Sequence, residues 1–141
     1  MTAVAVRLGD AEYGLPMERV REVLRPPPVT RTPFPPPDVL GVIHLRGALL
    51  AVLDLGTRLR GRPSAAPGRM VVVSSGAGRE RLALRVDRVT GVVETDDLLF
   101  PPPPEAEAAL PEGWLAGVVS PDSGRLVTLL DLENVLAGVH A

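Results

Sequence analysis

A chain of 141 residues with 15 basic and 17 acidic side chains has a formal charge of −2, so no long-range field draws it to phosphate backbones and nucleic acid is not expected as a partner. Aromatic residues are only Trp114, Tyr13, Phe34 and Phe100, 3% of the chain, too few for the stacking platforms that single-strand binders use. Cysteine is absent, which removes thiol nucleophiles, Cys-based zinc sites and disulfide frameworks, and fits a reducing cytosolic setting.

The 45% hydrophobic content supports a packed core, and Pro plus Gly stay below the roughly 25–30% at which disorder becomes the better reading. A single domain over 1–141 is expected. Arg7 interrupts the first apolar residues before a secretion core can form. The longest apolar run, Ala48 to Leu53, is far short of the roughly 20 residues that cross a bilayer, so neither export nor membrane insertion is expected. Every basic residue is Arg, scattered from Arg7 to Arg125 without the clustering that recognition needs.

Val4, Val6 and Leu8 alternate with Ala5 and Arg7, Gly9-Asp10 supplies a turn and Tyr13 to Met17 returns, which predicts a hairpin. Met17, Val20, Val23 and Leu24 are spaced by three and four, so a helical turn is expected over Met17 to Leu24, stopped by Pro26, Pro27 and Pro28. Pro33 to Pro37, broken by Phe34, reads as an extended connection and a rigid spacer between two barrels, although its P-x-x-P pattern also suits SH3-type readers. Val39 to Leu45, the turn Arg46-Gly47 and Ala48 to Leu55 predict a second hairpin. Arg60 to Gly68 reads as a mobile loop. Met70 to Ser74 and Arg81 to Val86 predict a third hairpin across Ser75 to Gly78, and Val89, Val92 and Val93 follow. The prolines 101 to 104 make another connection. Leu115 to Val119 then pairs with Leu126 to Leu130, and Leu132 to Leu136 forms a last helical turn.

This order occurs twice. Leu15, Glu18, Arg19, Val20 and Val23 align with Leu84, Asp87, Arg88, Val89 and Val92, and Leu53-Asp54-Leu55 aligns with Leu130-Asp131-Leu132. Two pseudo-repeated halves, about 1–68 and 69–141, imply an all-β fold of two small barrels packed together.

The inventory for catalysis is thin. His140 sits beside the C-terminal residue, His44 lies in a strand where alternation points it to solvent or a partner, and no G-x-S-x-G elbow surrounds any serine. Metal motifs are missing, and Gly76-Ala77-Gly78 reads as a hairpin tip instead of a phosphate loop. No enzyme activity and no cofactor are expected. The equivalence of Asp54 and Asp131 across the repeat favours a turn-anchoring role over catalytic carboxylates. Arg46 is more informative, because the second copy has Pro121 to Gly124 at the corresponding turn; taken alone, it reads as a solvated turn residue.

The segment Gly41-Val42-Ile43-His44-Leu45-Arg46-Gly47 with Leu53-Asp54-Leu55 resembles the G-V/I-x-N-L-R-G and V/I-D-L pattern of the chemotaxis coupling-protein family, CheW. The resemblance runs the length of the chain: Glu12-Tyr13-Gly14-Leu15-Pro16, Val20-Arg21-Glu22-Val23, Thr32-Pro33, Val86-Asp87-Arg88-Val89 and Leu129-Leu130-Asp131-Leu132 follow in the family's order. It implies two five-stranded SH3-like β-barrels with a groove between them. It also implies a non-catalytic cytoplasmic scaffold, recruited to membrane receptor arrays, that couples transmembrane chemoreceptors to the histidine kinase CheA. The partners so implied are the receptor's cytoplasmic helical hairpin and the kinase's own CheW-like regulatory domain. By motif, Arg46 would contact the receptor tip, Glu22 and Val20 would lie in the partner-binding region, and Val42 and Val89 would form apolar walls. His44 stands where the family usually has Asn, and Gly56 where Arg is common, so partner choice is expected to differ. The competing reading is a small-barrel peptide binder outside signalling arrays, joining extended segments by strand addition.

Overall fold

Strict alternation governs most of the chain, and in the central strands both alternating sets are apolar, as strands buried on two faces require. The computed structural model describes residues 2–75, 80–96 and 102–139. These form β1 (Thr2–Leu8), β2 (Ala11–Pro16), β3 (Val20–Leu24), β4 (Val39–Leu45), β5 (Ala48–Asp54), β6 (Arg69–Ser75), β7 (Glu80–Val86), β8 (Arg88–Glu94), β9 (Leu115–Val119) and β10 (Val127–Leu130), with short helices α1 (Leu55–Arg60), α2 (Pro104–Ala108) and α3 (Leu132–Val135).

The strands make two five-stranded sheets, ordered β8-β1-β2-β10-β9 and β3-β6-β7-β5-β4. Replacing each strand of the first sheet by its repeat equivalent generates the second, so the internal repeat is real in three dimensions. The sheets nevertheless do not follow the halves of the sequence. Each takes two strands from one repeat and three from the other, joined by the parallel pairs β2–β10 and β5–β7. Nor are they the closed barrels expected. The second sheet comes nearest to closure, because the chain leaving β3 returns to the opposite edge, where Thr30 and Val42 exchange backbone hydrogen bonds of 2.9 and 2.8 Å. A side chain at Gly41 would strike the Thr30 carbonyl, which accounts for glycine there. The proline-rich connection thus spans two edges of one sheet and is not a spacer between two bodies.

Three apolar layers result. Val6, Leu8, Leu15, Leu53, Leu55, Val71, Val73, Leu84, Leu130 and Leu132 fill the space between the sheets. Met70, Val72, Leu50, Val52 and Ile43 fill the inner face of the second sheet. Ala3, Ala5, Val93, Val127 and Leu129 cover the inner face of the first.

Two expectations about local structure are corrected. Only Met17–Arg19 turns as a 3-10 helix, and Val20–Leu24 is an edge strand on β6. A bulge between Val20 and Glu22 shifts the alternation, so a bulged strand imitates helical spacing. Leu55–Arg60 is helical, although Leu55 was expected to end a strand and Arg60 to begin a loop, with Asp54 at its N-cap and Gly61 at φ 70° after its last turn. α2 was likewise unforeseen, its Pro104 occupying the first helical position. The tip of the third hairpin, 76–79, and Pro101 lie outside the described residues.

The two repeat-equivalent aspartates anchor turns as expected. Asp54, 2% exposed, accepts hydrogen bonds from the Thr57 hydroxyl and from the Thr57 and Ser64 backbone N–H groups; among the described residues Asp131 accepts from Asn134 N–H. Through Asp54, and through Asp87, which accepts from Ala65 and Gly9 N–H, the 61–68 loop is fastened to the sheets. Arg58 ties α1 to α3 by donating to the Val135 and Ala137 carbonyls, pairs with Asp38 at 2.9 Å and lies 5.0 Å from the Trp114 ring centre. Arg125 grips Glu12 with two bonds of 2.8 Å. The Arg125 hydrogen bond holds the Glu12 carboxyl below its usual range, against the opposing effect of burial.

Replacing Asp54 by Ala removes a cap and strands two further donors, so a loss of about 3 kcal/mol is expected, against about 1 kcal/mol for Asp131→Ala; urea midpoints at constant m-value measure both. Because the Glu12 pKa is lowered on folding, the stability it contributes is complete above the unfolded carboxylate pKa and is lost as pH falls through the folded value. Wild type should therefore exceed Glu12→Gln in stability at pH 7, and the gap should narrow as pH falls below the ordinary carboxylate range and the Glu12 carboxyl becomes protonated in the folded state; a gap unchanged in strong acid would show that the carboxylate charge is not its source.

Candidate partner-binding site

The β4–β5 hairpin closes with two residues, Arg46 at φ 49° and Gly47 at φ 81°. This is the geometry of a type I′ turn, which suits the twist of paired strands but asks for positive φ at both positions. Glycine meets that demand without strain; arginine does not, and such strain concentrates at functional sites.

Arg46 is held by Glu22 on β3, with guanidinium-to-carboxylate bonds of 2.6 and 2.7 Å. β3 and β4 are the two opposite edges of the second sheet, so this bidentate pair and the Thr30–Val42 bridge both span the gap between them. Hydrogen bonding to Arg46 keeps the Glu22 carboxyl below its ordinary range, and the same bond raises the Arg46 pKa. The pair is not a buried clamp. The Arg46 side chain remains 67% exposed and Glu22 25%, and only two of the five guanidinium N–H donors serve Glu22. A cation of fixed position is left with donors free to meet a further acceptor.

The outer face of the same hairpin carries the apolar part of the site. Ile43 and Leu45 turn inward, so alternation turns Val42 and His44 outward. His44 is exposed and stands opposite Leu49, which is 60% exposed; Val42 stands opposite Ala51. Ala51 and Leu53 belong to the layer between the sheets, so this face continues the inter-sheet core into open surface. Val20 and Val89 lie elsewhere: both pack partly buried on the inter-sheet cluster, and Val89 sits on the other sheet, opposite Val6. Gly56 is buried in α1, where a side chain would meet the Arg62 carbonyl and Ser64.

Leu49 and Val23, the latter 44% exposed, were not singled out from sequence. In a run as uniformly apolar as Ala48 to Leu53, nothing distinguishes the outward residue from the inward one. Among the described residues no group of His, Asp and Glu could hold a metal ion, and no helix is long and apolar enough to cross a membrane.

A family model, the CheW-like domain, matches residues 2–140. The probable chemotaxis protein CheW of Rhizobium etli is 34% identical over 134 residues, covering 95% of this chain and 86% of that protein. The chemotaxis protein CheW of Rhizobium meliloti is 31% identical, with coverages of 94% and 84%, and protein FrzA of Myxococcus xanthus is 32% identical, with 92% and 81%. The crystal structure of the scaffolding protein TtCheW from Thermoanaerobacter tengcongensis superposes with a TM-score of 0.81 at 26% identity, covering 96% of this chain and 92% of that one. With the repeat, the paired sheets and the Gly41–Gly47 motif all in place, this chain belongs to the CheW-like domain family of chemotaxis proteins.

Proposed function

We propose that the chain is a non-catalytic adaptor that couples chemoreceptors to a CheA-type histidine kinase, working in the cytoplasm and recruited to receptor arrays. The observation that carries this reading is Arg46. It is a strained residue at a hairpin tip, positioned by a bidentate carboxylate and still two-thirds exposed, inside the motif shared with the family. The receptor's helical hairpin would lay an apolar face against Val42, Leu49 and the imidazole of His44, while Arg46 meets a carboxylate or the carbonyls at a helix C-terminus and so sets the register. Glu22 holds the Arg46 rotamer before binding, which lowers the ordering cost of the contact. The near-zero net charge of the chain leaves shape and apolar contact as the main attraction, with one ion to orient it. The kinase's regulatory domain, of the same build, would take a separate surface.

Co-sedimentation with receptor-containing membranes and purified kinase tests this. Wild type should be retained by both, and Arg46→Glu and Arg46→Gly should each bind receptor about tenfold more weakly or worse. Arg46→Gly should keep or raise the unfolding midpoint, because glycine accepts the positive φ that arginine resists, so any lost binding cannot be ascribed to unfolding. If wild type is retained by neither partner, the coupling role is wrong; if Arg46→Gly binds receptor normally, the site is wrong. His44→Asn should change the ratio of affinities for two different receptors in a competition assay without shifting the urea midpoint, since the side chain is exposed.

A further inference from the structure

The inner face of the first sheet is underfilled, and the repeat shows by how much. The cross-strand pairs Ala5–Gly14 and Val72–Ala83 are equivalent, which places Ala3 and Ala5 where the second sheet has Met70 and Val72, all four of them buried. The two alanines together carry about five fewer side-chain heavy atoms than their counterparts, and smaller side chains leave a cavity wherever the surroundings do not collapse onto them. Here the space stays open. A cavity of about 200 Å³ remains, lined chiefly by Ala3, Pro16, Ala116 and Leu129 with the side chains of Thr2 and Thr95. Gly14, also in its wall, has no room for a side chain of its own, because a Cβ there would lie 2.6 Å from Leu129 Cδ2.

The chemistry of the cavity selects its occupant. A water held in such a space needs about two to four polar partners, and the lining side chains offer only the Thr2 and Thr95 hydroxyls, the first of which already donates to Glu94 at 3.5 Å. Among the described residues no charged side chain lines the cavity, so an ionic ligand would give up its hydration without meeting a counter-ion. A flat, uncharged molecule of one ring suits both the volume and the surface. An apolar cavity of roughly 150 Å³ takes up benzene, and a single polar substituent would find the two threonine hydroxyls, as the few polar groups of a mostly apolar pocket orient what it binds.

We infer that the first sheet holds a binding site for a small, uncharged aromatic molecule of one ring, seated against Ala3 and Leu129 with any hydroxyl it carries directed to Thr2 and Thr95. The ring occupies the space that the Met70 side chain fills in the second sheet. With so few atoms to bury, the affinity is low, a Kd on the order of 1 mM. The site lies on the first sheet, whereas the Arg46 hairpin belongs to the second, and it is independent of the coupling role proposed above.

Titration of the full chain with benzene, phenol and benzoate, followed by amide chemical shifts, tests it. Benzene and phenol should give saturable shifts gathered on β1, β2, β9 and β10, with the Arg46–Gly47 turn unmoved. Benzoate, the same ring with a charge, should bind about tenfold more weakly or worse. Ala3→Met, which borrows the residue the second sheet uses, should weaken benzene binding by at least about tenfold. Ala116→Leu, at an exposed position of the lining, should do the same and decides alone if Ala3→Met does not fold. Wild-type shifts that are still unsaturated at about 10 mM benzene, or that spread evenly over both sheets, would overturn the inference. So would benzene binding undiminished in the folded variants, or benzoate bound as tightly as phenol.

Discussion

The apolar layer between the two sheets is the constraint from which the rest of the architecture follows. β1, β5, β6 and β7 send one set of alternating side chains into it and the other set into the inner faces of their own sheets, and β2 contributes Tyr13 and Leu15 to it. Strands buried on both faces have no solvent side to spare, and β2–β10 and β5–β7 can be central pairs only because each sheet borrows strands from the other repeat. Each repeat alone would hold two hairpins and one strand with no partner, β3 or β8, and neither sheet would be complete. The two similar pieces of sequence are thus interleaved in both sheets, and the hairpin that carries Arg46 extends from the β4–β5 pair of the second sheet.

The repeat also shows where the two copies have kept the same chemistry and where they differ. The capping aspartates keep equivalent places at the ends of β5 and β10, because the turn from strand to helix needs the same orphan N–H groups satisfied in both. The hairpin tips have diverged. In the first copy a two-residue turn holds Arg46 outward, paired to a half-buried Glu22; in the second a longer connection brings Arg125 onto Glu12, whose side chain is 8% exposed. One arginine is a clamp and the other is a display, and the difference lies in how much of the ion pair remains open to water. A surface ion pair contributes little to stability, so the Arg46–Glu22 pair does not by itself offset the strain of a positive φ at Arg46.

Much of this was readable in advance where local chemistry and side-chain pattern agreed. The hairpins at Gly9-Asp10 and Arg46-Gly47, the closing helix at Leu132 and the repeat itself were legible because turn residues and period-two alternation reinforce one another there. β3 was not, because a bulge between Val20 and Glu22 turned a strand's alternation into a helix-like spacing. α1 was hidden for a different reason: Leu55 continues an apolar run, and only the capping of Thr57 by Asp54, together with Gly61 beyond the last turn, distinguishes helix from strand. Arg46 and Glu22 could each be singled out by motif. Their pairing could not, since 24 residues separate them and the meeting depends on two edge strands curling toward each other.

By itself, the sequence determined the elements whose causes are local: the turns, the capping aspartates and the apolar alternation. The tertiary structure alone decided which strands of which repeat lie side by side and which of the uniformly apolar residues turn outward. Those outcomes depend on contacts between residues far apart in the chain, and side-chain type alone does not carry them: Leu49 and Leu50 are the same residue, yet one is 60% exposed and the other 2%.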